Sequence, residues 1–391
     1  MTDLPLSHIR VIDLSRVRAG PNCVKFFADF GADVIKVERV DGGGDPMGDN
    51  RYASDYVNTQ RNKRGMALDL QKPEGVAVLK KLVETADVVV ENFRPDVKHR
   101  LGVDYEALSA VNPKLIYTSI SAFGQEGPYR KRPGFDLIAQ GMGGLMWLTG
   151  YDGQGPLRVG VSPADLCAGY FAAMGTMIAL LEREKSGKGQ WVQTSLLASQ
   201  IMLLDYQAMS WLMDKKVPIQ RGNDHPQIVP TGMYESSDGY FTLSTVGNDS
   251  YLRLCAAINA PDLATDPRFA TASLREKNRE AMNEAINNAT KLRTTAEWVE
   301  LLNDEGVPAG PIYKLDEMFA DPQVQQTEIA QPLQHPKLGE VKIVGQAIKL
   351  SRTPAQFRLP PPEHGEHTDQ ILAEAGFAPG EIEELRRQKI V

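Results

Sequence analysis

The chain has 391 residues, of which 42% are hydrophobic and 24% are charged, a composition typical of a globular protein with two or three domains. Its formal net charge is −7, from 43 basic and 50 acidic residues, so it lacks the basic excess expected of a nucleic-acid-binding protein. Residues 1–150 nevertheless contain 20 basic and 19 acidic residues. We therefore expect any anion-binding site in this first part of the chain.

The cysteines indicate a reducing environment. Cys23, Cys167 and Cys255 lie far apart and form no C-x-x-C pair, which disfavours a disulfide framework and a zinc ribbon. The first residues lack the pattern of a signal peptide, and the longest nearly continuous apolar run, 170–181, is about half as long as a membrane span. We expect a cytoplasmic protein that neither binds nor crosses a membrane.

The first third of the chain alternates short apolar runs with helical patterns, which predicts a parallel sheet covered by helices. The apolar runs are nearly continuous, as expected for strands buried on both faces. The predicted strands are 8–14, 33–38, 87–91 and 115–121, and the predicted helices are 21–30, 73–85 and 105–111. In an open sheet of this kind, ligands bind beyond the carboxyl ends of the strands.

The rest of the chain predicts a long helix and a second domain. Residues 162–184 form the longest helical pattern and contain small residues that would let another backbone approach closely. Asp238-Gly239 predicts a hairpin between strands 231–234 and 240–244, and polar helices continue to about residue 320. Residues 331–362 are proline-rich and predicted to be extended, and a charged helix is predicted at 381–388.

The turn after the first strand is a candidate anion site. Arg16 and Arg18 precede the helix there, and Arg39 follows the second strand. Guanidinium groups beside a helix N-terminus can hold an anion, although the same residues could form a solvated basic rim. No G-x-G-x-x-G or G-x-x-x-x-G-K-[ST] motif accompanies them, which disfavours a standard NAD or ATP enzyme.

A second candidate site follows the third predicted strand. Asn92, Phe93 and Arg94 leave that strand, and Arg100 follows within two helical turns. An aromatic ring, an amide and a guanidinium could hold a purine and a phosphate. Asn92 could equally be a helix cap.

The third candidate is the start of the long helix. Ser162, Pro163 and Asp165 occupy the N-cap, N1 and N3 positions and could simply satisfy the first turn, as a capping box does. The helix N-terminus would also favour the ionised form of Asp165. On this interpretation Asp165 is a nucleophile that stays deprotonated well below neutral pH.

No metal site is predicted. His364 and His367 have H-x-x-H spacing but follow three prolines, a context typical of a loop that caps a terminal helix. No G-x-S-x-G motif is present, which disfavours an α/β-hydrolase.

Taken together, these segments resemble the class III CoA transferases, the CaiB/BaiF-like group that includes formyl-CoA transferase, carnitine CoA-transferase and the bile-acid-inducible proteins. The resemblance covers nearly the whole chain. It rests on VIDL at 11–14, AGP at 19–21, GADVIKVE at 31–38, NKR at 62–64, LDL at 68–70, ENF at 91–93, IAQ at 138–140, Asp165, GKGQ at 187–190, GVPAGP at 306–311 and GEHT at 365–368.

The resemblance implies a nucleophilic aspartate, and Asp165 stands at its position. It also implies CoA or acyl-CoA as a substrate, without a tightly bound cofactor. The implied CoA contacts are Arg18, Ala19, Arg39, Leu68, Asn92, Phe93, Arg100 and Arg132. A further implication is an interlaced homodimer, in which each chain threads through its partner.

The predicted fold class is therefore α/β: a Rossmann-like open parallel sheet in a large domain, and a smaller α+β domain. Residues 1–200 are predicted to form the N-terminal part of the large CoA-binding domain, 225–325 the small domain, and 340–391 a C-terminal segment that returns to the large domain. The predicted linkers are 201–224 and 326–339.

Phe135 separates two branches of this family. The related 2-methylacyl-CoA racemases would carry a histidine there, between Gly134 and Asp136, and a phenyl ring cannot exchange a proton. Formyl-CoA transferase has glutamine where Arg18 stands and a run of glycines where this chain has 222–232. These departures argue against formyl-CoA and oxalate as substrates, and the extra guanidinium of Arg18 could hold the distal carboxylate of a dicarboxylic acid.

The predicted function is reversible transfer of CoA from an acyl-CoA, with succinyl-CoA as a candidate donor, to a free carboxylic acid through an aspartyl-CoA thioester. Two alternatives remain open at this stage. One is a 2-methylacyl-CoA racemase that uses Asp165 with another base, and the other is a non-catalytic CoA-binding protein in which Asp165 only caps its helix.

Overall fold

The computed structural model describes residues 4–43 and 50–391, and Gly44 and the five residues after it lie outside this description. Two compact units are present: one comprises 1–145, 158–216 and 325–391, and the other 146–157 and 217–324. These boundaries differ from the predicted ones, because 146–157 joins the second unit. The predicted linkers also contain regular structure, including helix Tyr206–Asp214 and strand Ala330–His335.

Within residues 4–43 and 50–391, the strands form three sheets. A six-stranded sheet with all neighbours parallel has the order β3-β2-β1-β4-β5-β6. A three-stranded antiparallel sheet has the order β7-β8-β9, and β10 pairs with β11 as a hairpin. Their bounds are β1 Arg10–Asp13, β2 Asp33–Glu38, β3 Arg64–Ala67, β4 Val88–Glu91, β5 Ile116–Ser121, β6 Gln190–Ser195, β7 Thr231–Glu235, β8 Tyr240–Ser244, β9 Ala309–Pro311, β10 Ala330–His335 and β11 Gly339–Val344.

The helices cover both faces of the large sheet and pack against the buried face of the small one. Their bounds are α1 Ala19–Asp29, α2 Ser54–Gln60, α3 Pro73–Val83, α4 Pro95–Leu101, α5 Tyr105–Ser109, α6 Asp136–Met142, α7 Leu145–Leu148, α8 Pro163–Ser186, α9 Leu196–Leu203, α10 Tyr206–Asp214, α11 Asn248–Ala257, α12 Pro261–Thr265, α13 Ala272–Lys277, α14 Arg279–Thr290, α15 Thr295–Asp304, α16 Leu315–Ala320, α17 Pro322–Thr327, α18 Thr368–Glu374 and α19 Pro379–Arg387.

The large sheet confirms the predicted α/β class. Successive residues of a strand enter opposite cores: Val11 packs with α1 and α8, whereas Ile12 packs with α3 and α18. Such two-sided burial explains why β1, β2, β4 and β5 are nearly continuous apolar runs. The sequence did not reveal β3 or β6, which are the two edge strands and contain few β-branched residues.

From β1 the chain adds β2 and β3 on one side of the sheet and then β4, β5 and β6 on the other side. The direction of strand addition therefore reverses at β1 and β4. In an open parallel sheet, such a switch point leaves a crevice at the carboxyl ends of the strands. The C-terminal segment reaches the same sheet, since the backbone N–H of His367 donates to the Gly65 carbonyl of β3 and that of Asp69 donates to the Ile390 carbonyl.

The second unit is a small α+β body. Its sheet packs on α11, α14 and α15 through a core that includes Phe241, Tyr251, Met282 and Trp298. The hairpin predicted at Asp238-Gly239 is confirmed by the antiparallel pairing of β7 with β8. The predicted extended region 331–362 instead begins with the hairpin of β10 and β11.

Helix α8 is the long helix that the sequence predicted. By length and composition it could cross a membrane, and 44% of its most apolar stretch is buried within the chain. Its small residues Ala168, Ala172 and Ala173 belong to the core beneath α1. Helix α8 packs tightly on α1 at Gly169, where an added Cβ would lie 2.6 Å from the carbonyl oxygen of Ala19.

We therefore expect Gly169→Ala to destabilise the protein by roughly 1 to 3 kcal/mol, because the added methyl group would force α1 and α8 apart. Denaturant unfolding of the full chain measures this change. Gly380→Ala is the matched control: Gly380 is also helical, and a Cβ there meets no atom within 4 Å. Equal stability of the two variants would contradict close packing at Gly169.

Candidate active site

The first turn of α8 is held by a side chain from another helix. Ser162 is the N-cap residue but makes no capping hydrogen bond, so the predicted capping box is wrong. Instead, Asp136 Oδ1 accepts the backbone N–H groups of Ala164 at 2.9 Å and Asp165 at 3.4 Å. Because both groups are engaged, they are not free to stabilise an oxyanion.

Asp165 is partly buried, and its pKa is raised to about 6. Burial is the main cause, the carboxylate of Asp136 raises the pKa further, and Arg18 opposes both effects. The prediction that Asp165 stays ionised well below neutral pH was therefore wrong, because burial and a second carboxylate outweigh the helix N-terminus. At pH 7 the carboxylate is still mostly ionised.

A cavity of about 200 Å³ surrounds Asp165. It lies at the carboxyl edge of the large sheet, between the turn after β1 and the start of α8. The structure thus brings together several residues that the sequence singled out. Its lining includes Arg16, Arg18, Ala19, Asn92, Phe93, Phe135 and Asp165.

Phe135 lines this cavity, and the residue is 68% exposed. The residue that replaces the racemase histidine therefore lies in the same cavity as Asp165. A phenyl ring there can pack against a ligand but cannot accept or donate a proton.

Arg18 is fixed by an ion pair that the sequence did not reveal. Its two terminal nitrogens contact the two carboxylate oxygens of Asp55 at 2.5 and 3.1 Å. Both side chains are partly exposed. This fork-to-fork geometry orients the guanidinium while leaving part of it open to the cavity.

Asn92 acts as a backbone clamp. Its side-chain amide accepts the N–H of Arg16 at 2.9 Å and donates to the Arg16 carbonyl at 2.7 Å. The alternative that Asn92 caps a helix is wrong, because Arg94 is the N-cap residue of α4. Asn92 instead ties the turn after β1 to the end of β4.

The backbone of Phe93 is fixed by a buried ion pair between Glu91 and Lys98. The carboxylate of Glu91 accepts the N–H of Phe93 at 2.8 Å and pairs with Lys98 at 2.9 Å. Glu91 and Lys98 are fully buried. The ring of Phe93 in turn contacts Arg16, whose guanidinium lies 5.6 Å from the ring centre.

A larger cleft of about 590 Å³ shares Arg16 and Phe93 with the first cavity. It opens at the ends of β1, β2 and β3 and is lined by Arg39, Leu68 and Arg100, among other residues. Leu68 is buried, Arg39 pairs with the exposed Asp41, and Arg100 makes no ion pair in the described part of the chain. A cationic rim beside an apolar wall suits a ligand that combines phosphates with an aromatic ring.

Arg132 lies outside both of these cavities. It is exposed, and its guanidinium stacks on the ring of Tyr129 at 3.8 Å. The structure therefore does not bring Arg132 together with the other predicted contacts. Conversely, the predicted contacts omit Arg16, Asp55 and Asp136. Arg16 belongs to the candidate anion site that the sequence indicated after the first strand. The two aspartates contact residues that are distant in sequence, so no local motif indicated them.

Metal-ligating side chains meet at one surface point among the described residues, formed by His99, Asp104 and Glu106. Asp104 already caps α5 by accepting the N–H of Ala107. His364 and His367 contact different backbone groups, of Arg39 and Gly65 respectively. Neither group is part of the cavity around Asp165.

Comparison with known proteins agrees with this geometry. The model of CoA-transferase family III matches residues 6–368. The succinate–glutarate CoA-transferase of Agrobacterium fabrum is 41% identical, over 96% of this chain and 98% of its own length. The human succinyl-CoA:glutarate CoA-transferase is 34% identical, over 95% of this chain and 86% of its own.

Solved structures give the same result. A CaiB/BaiF family protein from Brucella suis is 35% identical and superposes with a TM-score of 0.84, over 96% of this chain and all of its own. Rv3272 from Mycobacterium tuberculosis is 27% identical, with a TM-score of 0.86 over 94% of this chain and 99% of its own. The resemblance read from the sequence is thus confirmed: the chain belongs to CoA-transferase family III.

Proposed function

We propose that this enzyme transfers CoA reversibly from succinyl-CoA to a second dicarboxylic acid, through a thioester between Asp165 and CoA. The observation that carries the proposal is the partly buried carboxylate of Asp165, in a cavity that adjoins a larger cleft with a cationic rim. The relatives reported above are named for succinate or succinyl-CoA and for glutarate. Their names support this choice of substrates.

The proposed reaction has four steps. The Asp165 carboxylate attacks the thioester carbonyl and expels CoA thiolate, which leaves a mixed anhydride. The thiolate then attacks the aspartyl carbonyl, releasing succinate and forming the enzyme thioester. The acceptor carboxylate attacks this thioester and again expels thiolate, and the thiolate attacks the acceptor's carbonyl in the second anhydride, which restores Asp165. Each step exchanges one activated acyl group for another, so the thioester energy is conserved.

CoA is proposed to occupy the larger cleft. Arg39 and Arg100 would contact its phosphates, Phe93 and Leu68 its apolar parts, and Ala19 and Asn92 would line the path toward Asp165. The shared residues Arg16 and Phe93 support a continuous path between cleft and cavity. The proposed contact from Arg132 stays a prediction without support from this geometry.

The acceptor is proposed to be a dicarboxylic acid held by Arg18. Arg18 lines the cavity of Asp165, and its charge lowers the pKa of that carboxyl group, so one carboxylate could reach Asp165 while the other binds the arginine. Since Asp55 already contacts Arg18, the distal carboxylate would share the guanidinium with Asp55.

The active form is proposed to be an interlaced homodimer in the cytoplasm, without a tightly bound cofactor. Exposed apolar side chains on α8, α9 and α10 support a second copy as the partner, because large apolar patches on a protein surface are usually covered. These side chains include Ile178, Leu181, Met202, Leu212 and Met213, each at least 61% exposed. The three cysteines are free thiols, which agrees with a reducing compartment.

We expect Asp165→Asn to lower the rate of CoA transfer from succinyl-CoA to glutarate roughly a thousandfold or more, because an amide cannot form the anhydride. Steady-state kinetics of the purified protein measures the loss. Arg100→Ala is the contrasting variant, for which we expect a higher KM for the CoA substrate with little change in kcat.

Transfer by Asp165→Asn at the native rate would overturn the proposal. So would exchange of the α-hydrogen of a 2-methylacyl-CoA for deuterium without transfer of CoA to an acid, which is the behaviour of a racemase. Binding of CoA without turnover by the native protein would favour a non-catalytic role.

Arg18→Gln is expected to reduce the preference for glutarate over butyrate roughly tenfold or more, because the distal carboxylate loses a charged hydrogen-bond partner. The ratio of kcat/KM for the two acceptors measures this preference. Asp55→Asn is the control, since it removes the negative charge that pairs with Arg18 but leaves the guanidinium. An unchanged ratio in Arg18→Gln would exclude Arg18 as the acceptor contact.

A further inference from the structure

We infer that Asp136 is a positioning residue for Asp165: it fixes the first turn of α8 by hydrogen bonds and places a second carboxylate beside the nucleophile. The inference rests on the proposed role of Asp165 and adds a residue from a different helix to it. Asp136 lies at the start of α6, next to Phe135.

The hydrogen bonds of Asp136 leave its carboxylate little freedom to move. Oδ1 accepts the N–H groups of Ala164 and Asp165, and Oδ2 accepts the side-chain amide of Gln140 at 2.6 Å. The residue itself is only 6% exposed. The backbone of Asp165 is therefore tied directly to Asp136.

Gln140 extends this attachment to the segment that enters α8. Gln140 is fully buried. Its side-chain oxygen accepts the backbone N–H of Val159 at 3.1 Å, and its side-chain nitrogen donates to the backbone carbonyl of Val161 at 3.3 Å. Asp136 and Gln140 are four residues apart and so share one face of α6. One face of α6 is thus hydrogen-bonded both to the segment that precedes α8 and to the first turn of α8.

The charges around Asp165 give Asp136 a second effect. Burial and the Asp136 carboxylate raise the pKa of Asp165 to about 6, whereas Arg18 lowers it. Arg18 is shared with Asp55, and Arg16 lines the same cavity. Attack on a thioester would convert Asp165 to an uncharged acyl group, so the repulsion from Asp136 would disfavour the free carboxylate more than the intermediate.

The test compares pH–rate profiles for CoA transfer by the native protein, Asp136→Asn and Asp136→Ala, with the same substrates throughout so that their own titration cancels. Because the reactive form is the carboxylate, activity rises with pH through the pKa of Asp165. A pKa of about 6 means that the native rate at pH 5 is about a tenth of its plateau.

We expect Asp136→Asn to retain at least about twice that fraction at pH 5, because it keeps an oxygen for the two N–H groups but removes the negative charge. Asp136→Ala also loses the acceptor oxygen, so its plateau rate should fall roughly 10- to 100-fold, with much of the loss restored by asparagine. Gln140→Ala is the control. It breaks the hydrogen bond between Gln140 and Asp136 but retains the negative charge of Asp136, so its pH–rate profile should not move to lower pH.

If Asp136→Asn has the native pH profile, the charge effect is refuted, and if Asp136→Ala has the native plateau rate, the positioning effect is refuted. Asp165→Asn is measured in parallel. Its full activity would refute the proposed function itself, whereas its inactivity together with unchanged Asp136 variants would refute this inference alone. Asp136→Asn keeps the test decisive if Asp136→Ala does not fold.

Discussion

The hydrogen bonds between the Asp136 carboxylate and the first turn of α8 connect the fold of this protein to its chemistry. A helix begins with backbone N–H groups that have no partner within the helix. Here Asp136 of α6 accepts two of these N–H groups. One of them belongs to Asp165, whose side chain is the carboxylate of the proposed active site. The same hydrogen bonds therefore give the first turn of α8 its acceptor and bring the carboxylates of Asp136 and Asp165 together in a partly buried site.

The parallel sheet determines where this pair of carboxylates lies. Helix α8 packs tightly on α1 at Gly169, so the start of α8 is held beside the turn that follows β1. That turn is clamped to the end of β4 by Asn92, and its arginines face the crevice at the switch point of the strand order. Residues at the carboxyl ends of neighbouring strands thus line both the small cavity and the larger cleft.

Much of this architecture could be predicted from the sequence, because buried strands and helices carry regular apolar patterns. The four inner strands and the long helix were found in this way, and the Asp238-Gly239 turn predicted the hairpin. The edge strands β3 and β6 were missed since half-exposed or glycine-containing strands lack that pattern. Within the site, local motifs indicated Arg18, Asn92, Phe93 and Asp165.

Contacts between distant segments could not be predicted from single residues. The pairing of Arg18 with Asp55 and of Asp136 with the start of α8 depends on the folded chain, and so does the burial that raises the pKa of Asp165. Ser162 had every local feature of a helix cap, yet a carboxylate from another helix takes its place. Arg132 shows the opposite case, in which a residue chosen by resemblance lies elsewhere on the surface.

The central claim is that CoA becomes covalently attached to Asp165, and mass spectrometry of the protein after brief incubation with succinyl-CoA tests it most directly. Because Cys167 lies on the same helix, a reductant without a thiol group is included, which removes any CoA bound as a disulfide and does not exchange with a thioester. We expect a CoA-sized increase on the peptide that contains Asp165, resistant to the reductant and absent in Asp165→Asn. Transfer of CoA without this adduct, or with the adduct at another residue, would exclude the thioester at Asp165.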